Sequence, residues 1–137
     1  MTRALVEQVD PDLGRALDFI SQGRRFLADA DDASHLESAV VLYWNTCISA
    51  MDGLLAAAGL RVGRGEDSHA VRVESVRNVL GAGFDDLCDR LDEWRRERHD
   101  VSYAAITPAA ADVAAMQTDA RDILAAAEGY ARRLGEF

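Results

Sequence analysis

The chain lacks lysine altogether; its 15 positive charges are all arginine, set against 24 Asp plus Glu in 137 residues, a formal charge of −9. That balance works against indiscriminate nucleic-acid binding, because the overall field repels phosphate. Only two cysteines occur, Cys47 and Cys88, both in apparent helix interiors and without paired Cys or nearby His. They suit neither a metal cluster nor a disulfide framework, so no metal and no cofactor is expected. Only two prolines occur, and 49% of residues are hydrophobic, which excludes disorder as the default. No apolar run approaches the roughly 18–20 residues of a membrane span, so no membrane association is expected. The amino-terminal stretch MTRALVEQVDPD has no apolar core followed by a small-residue cleavage site, so no secretory signal is expected and the location reads as cytoplasmic. The length suits a single domain, 1–137.

What is present is helical patterning. After an arm over 1–10, Asp10-Pro11 reads as an N-cap followed by a proline in the first turn. A helix near 11–30 then repeats Leu13, Leu17, Ile20 and Leu27, and fades in the acidic stretch around Asp31-Asp32. Ser34-His35-Leu36-Glu37 has the form of a capping box. The helix it opens, near 34–60, is apolar around most of its circumference, as a central helix should be. Its polar interruption is narrow: Asn45, Ser49 and Asp52 at i, i+4, i+7. Glycines 59, 63 and 65 break the chain before a short helix near 68–80, capped by Asp67 or Ser68 and carrying Val73, Val76 and Leu80. A helix near 84–103 repeats Phe84, Leu87, Leu91 and Trp94, and Thr107-Pro108 opens a last one near 108–134. The final stripe runs Val113, Met116, Ala120, Ile123, Ala127, Tyr130, Leu134. The expected fold is all-α, an antiparallel bundle of four to five helices.

Chemistry concentrates between Arg90 and Tyr103. From Arg90 to Asp100 four arginines face four acids, the composition of a solvated face stitched by pairs such as Asp92 with Arg96. Arg98 departs from that pattern, because the apolar register that passes through Trp94 lands on it. A guanidinium there needs an acceptor or a phosphate. Asp52, in the polar seam of the central helix, is the candidate acceptor; alternatively Arg98 snorkels at the end of the bundle.

The segment Tyr43–Leu60 (YWNTCISAMDGLLAAAGL), the glycine-rich loop leading to Ser68-His69, and Arg98-His99-Asp100-Val101-Ser102-Tyr103 resemble their counterparts in the HEPN (higher eukaryotes and prokaryotes nucleotide-binding) superfamily. The resemblance implies a HEPN-like bundle and metal-independent RNA cleavage at a cleft between two protomers. It gives Arg98 the place of the motif arginine, His99 that of the following polar residue, and Tyr103 the place of the motif histidine. Arginine supplies a permanent cation for the developing phosphorane charge. Tyrosine, with an ordinary pKa near 10, is a poor base at neutral pH. The catalytic set implied is therefore Arg98, His99 and Tyr103, supported by Asn45 and Asp52, with Arg95 and Arg96 toward RNA. Active nuclease, inactive RNA or nucleotide binder, and regulatory dimer all stay open. The partners expected are a second copy of the chain, giving a homodimer, and RNA or a nucleotide. The competing reading is a non-catalytic interaction module of antitoxin or scaffold type, with a protein partner. His35 reads as solvent-facing, His69 as a capping or loop-packing residue, and Trp44 and Trp94 as core or dimer anchors.

Overall fold

The computed structural model describes residues 5–104 and 108–135, with side chains described as far as Arg96 before that break and from Pro108 after it. It is an all-α bundle. Among the described residues five α-helices occur: α1 (Leu13–Asp31), α2 (Leu36–Ala58), α3 (Ser68–Leu80), α4 (Asp85–Ala104) and α5 (Ala110–Gly135). Two short strands, β1 (Val6–Gln8) and β2 (Leu60–Val62), form an antiparallel ribbon with Val6 opposite Val62 and Gln8 opposite Leu60.

The helices fall where their patterns predict, while their ends differ in instructive ways. α1 is capped by Asp12, whose carboxylate accepts the Arg15 N–H at 2.9 Å, and not by Asp10. The chain before it is held extended on α2: the Val9 N–H donates to Gly59 O (2.9 Å) and the Asp12 N–H to Ala56 O (3.0 Å). α2 starts one residue late, with His35 at the N-cap and no capping bond from its side chain. Glu37 therefore sits second in the helix and not third, and the expected box geometry is lost. Pro108 precedes the first residue of α5 by two positions; Thr107 lies outside the described residues. The expected amino-terminal arm is in part a strand, and α2 ends two residues early, at Ala58, with β2 beginning at Leu60.

α2 is the core helix. Cys47, Ala50, Met51 and Leu54 are fully buried, packed with Val76 of α3, Cys88 and Leu91 of α4, and Met116 and Ile123 of α5. The helix is long and apolar enough to cross a membrane, and 72% of its most apolar window is buried within the bundle. Of the stripe its spacing suggests, α1 buries Ile20 and packs Leu13 and Leu27 against the core, but small residues and not Leu17 share the crossing with α2. Ala16, Ile20, Gly23 and Ala30 are buried, whereas Leu17 is 52% exposed. A Cβ at Gly53 would lie 3.1 Å from Ala16 O and from Ile20 Cγ1, so the two backbones approach too closely for leucine at the crossing.

Polar clamps join the helices at their ends. The Asp31 carboxylate accepts from the Tyr43 hydroxyl (2.6 Å), the Gln117 amide (2.7 Å) and Arg121 (3.2 Å), tying α1, α2 and α5. Burial pushes the Asp31 carboxyl up, but these bonds outweigh it and hold it below the ordinary carboxylate value. Burial, then the bond to Asp31, pushes the Tyr43 hydroxyl up to about 12. Burial likewise raises the Cys47 and Cys88 thiols, which behave as small apolar core groups.

Candidate functional site

α4 carries the arginine segment, and its described part is anchored at Asp119 of α5. The Asp119 side chain is 4% exposed, so it needs partners, and it has two. Its Oδ1 accepts from Arg90 Nε at 2.8 Å and its Oδ2 from the Trp94 indole N–H at 2.7 Å. The bond to Asp119 is the main cause that raises the pKa of Arg90. One helical turn separates these two donors, so a single buried carboxylate fixes both the rotation and the height of α4 against α5.

The next turn is self-neutralised. Arg95 Nε donates to Asp92 Oδ1 at 2.9 Å, and Arg96 Nη2 to Asp92 Oδ2 at 2.7 Å. The Asp92–Arg96 pair expected from the i,i+4 spacing is present, and Arg95 shares the same carboxylate. Two arginines expected to face RNA thus carry the charge of one. Arg98, His99 and Tyr103 belong to the last turns of α4, and their side chains lie outside the described residues.

The polar seam of α2 divides between two neighbours. The Ser49 hydroxyl, buried, donates to Gln22 Oε1 of α1 at 3.4 Å. Asp52 turns to α3, where its Oδ1 accepts from Arg72 Nε at 2.8 Å. Asn45 is half-buried. The acceptor proposed for Arg98 is thus engaged by Arg72, whose side chain is only 12% exposed. Arg72 Nη1 lies 2.7 Å from His69 Nδ1. A guanidinium has only donors, so in this contact it donates and Nδ1 accepts. The same ring meets Trp44 edge-on, with centroids 5.8 Å apart. His69 therefore packs the start of α3 onto α2, as a loop-packing residue should, and His35 is exposed.

A second feature was not foreseen. Between the β1–α1 junction, α2, β2 and α3 lies a cleft of about 310 Å³. Phe19, Leu55, Leu60 and Val62 form its apolar wall; Arg15, Arg61 and Arg72 and Asp10, Asp12 and Asp52 supply its charge. The Arg15 guanidinium sits over the Phe19 ring, 5.4 Å from its centroid.

Asp119, Arg72 and Arg15 all escaped the reading of the sequence. Asp119 had a signal: it lies three residues after Met116 and beside Ala120, on the flank of an apolar stripe where an unpaired carboxylate has no place. Arg72 and Arg15 had none, since each acquires meaning only from a neighbour distant in the chain. Among the described residues, no group of three His, Cys, Asp or Glu side chains could hold a metal ion. Comparison of the chain with protein-family models, with curated proteins and with solved structures finds no match.

Proposed function

We propose that the chain is a HEPN-like domain that binds RNA or a nucleotide through the carboxyl-terminal turns of α4, with cleavage weak or absent. The observation that supports this reading best is the anchorage of α4. The helix is anchored by Asp119 at Arg90 and Trp94 and then continues to Ala104. The segment that resembles the HEPN motif is thus carried on a helix whose start is positioned by α5, which suits a binding site built on regular structure. In this reading Arg98 contributes phosphate affinity, His99 an imidazole beside it, and Tyr103 a hydrogen bond where active members of that superfamily place a base. A homodimer would supply the shared cleft that the resemblance implies.

The pairing of Arg95 and Arg96 with Asp92 favours the second reading, an interaction module that recognises protein. The test is fluorescence anisotropy with labelled single-stranded RNA at low salt, beside incubation with total RNA in EDTA. The expected result is salt-sensitive binding that Arg98→Ala weakens, little cleavage, and more cleavage in Tyr103→His. No affinity for RNA at low salt, with a protein partner co-purifying, would pass the case to the interaction module.

A further inference from the structure

We propose that the cleft between β1, α1 and β2 binds a free α-amino acid with an apolar side chain. The inference starts from the charges on the cleft wall once internal pairs are set aside. Arg61 is held by Glu7 across the ribbon at 2.6 Å, and Arg72 by Asp52 at 2.8 Å. Asp12 spends its carboxylate on the amino terminus of α1, where the helix dipole compensates it. One cation and one anion are left. Among the described residues, Arg15 makes no ion pair and is stacked on Phe19, and Asp10 makes none either. The two are not paired with each other.

A ligand that satisfies both must carry a negative and a positive group that fit together within one cleft of about 310 Å³, attached to an apolar body that covers Phe19, Leu55, Leu60 and Val62. An α-amino acid has that form: its carboxylate takes the Arg15 fork and its ammonium takes Asp10. The competing chemistries fit less well. A phosphate dianion meets one uncommitted guanidinium and, in Asp10, one uncommitted carboxylate, which repels it. A purely apolar ligand would strip water from Arg15 and Asp10 and return nothing for it. A volume of about 310 Å³ stands at the lower end of small-molecule sites and suits a molecule of this size. Stacking on Phe19 holds the Arg15 side chain in place, which lowers the ordering cost of a charge-assisted bond.

The cleft is independent of the reading given to α4, and it is tested on the intact chain by calorimetric titration with L-leucine and L-phenylalanine. Controls are 4-methylpentanoate, which lacks the ammonium, isopentylamine, which lacks the carboxylate, and inorganic phosphate and adenosine monophosphate. The expected result is binding of at least one of the two amino acids, weakened by about tenfold or more when either charged group is deleted. Arg15→Gln and Asp10→Asn, both at exposed positions, should each weaken it by a similar factor with an unchanged melting temperature. Four outcomes would overturn the proposal: no heat with either amino acid at millimolar concentration, equal affinity for a singly charged analogue, preference for phosphate or the nucleotide, or undiminished binding in both variants.

Discussion

The Trp94 indole of α4 and the Asp119 carboxylate of α5 are joined by a 2.7 Å hydrogen bond, and Arg90 completes the carboxylate from one turn earlier. Removing one partner of a fully buried ion pair costs about 3–5 kcal/mol. Arg90 keeps 45% exposure and can recover water, so Asp119→Ala should cost less, about 2 kcal/mol. Trp94→Phe, which gives up one hydrogen bond and keeps the ring, should cost about 1 kcal/mol. Urea unfolding of both variants and of the double variant measures this. Simple additivity of the two losses would show that the carboxylate does not couple them.

Asp92 sets how much positive charge α4 offers. Asp92→Asn frees Arg95 and Arg96 together, since both use that one carboxylate. If α4 faces RNA, affinity at low salt should rise about three- to tenfold, and the salt dependence should steepen. Stability should move by about 1 kcal/mol or less, because the half-buried Asp92 and Arg95 and the exposed Arg96 all keep access to water and Asn can still accept a hydrogen bond. Unchanged RNA affinity would remove Arg95 and Arg96 from the interface.

The Asp31–Tyr43 clamp gives opposite pH dependences at the two ends of the scale. The carboxyl of Asp31 is lowered in the folded state, so its contribution is present above the ordinary carboxylate value and is lost as pH falls through the folded one. Tyr43 is raised to about 12, so its contribution is present below the ordinary tyrosine value and is lost as pH rises through the window up to about 12. Unfolding measured from acid to alkaline pH should show both flanks, with the acid one flattened in Asp31→Asn. In a spectrophotometric titration, Tyr43→Phe should delete an ionisation near pH 12.

Two glycines with positive φ separate backbone strain from steric conflict. Gly59 has φ 76° and would place a Cβ 2.8 Å from Val9 O; Gly81 has φ 86° and nothing within 4 Å. Gly81, at φ 86° and ψ −174°, lies in a region essentially reserved for glycine, so Gly81→Ala should cost about 1–3 kcal/mol from backbone strain alone. Gly59→Ala carries the left-handed strain, about 1–2 kcal/mol, and must in addition displace Val9 and Pro11, so its loss should exceed that range, together with weaker ligand binding in the cleft. Urea unfolding measures both, and a Gly59→Ala loss no larger than about 1–2 kcal/mol would show that the ribbon yields freely.

Much of this architecture was legible from residue spacing. The five helices, the central place of α2 and the inert cysteines all follow from periodicity, since burial repeats along one helix at a time. The caps slipped by one or two residues, because Asp10 and Asp12 are equally good cap residues and only the docking of Val9 on Gly59 chooses between them. Leu17 pointed the wrong way because the close approach at Gly53 favours alanine and glycine at the α1 crossing. Strands of three residues carry too short a pattern to detect, and their pairing is with a distant partner. The polar seam was visible as Ser49 and Asp52, but its division between Gln22 and Arg72 depends on which helix lies beside each residue, which spacing within α2 does not contain.

The pairing of Val6 with Val62 also orders events in time. α1 and α2 are consecutive and joined by a short turn, so their contacts are cheap in chain entropy and form early. The ribbon closes a loop that contains both helices, and its few hydrogen bonds repay that closure only after the helices have docked. The walls of the cleft come from both sides of this closure. Competence to bind in the cleft should therefore arise after the bulk of helix formation, making ligand-dependent signals a report on the last stage of folding.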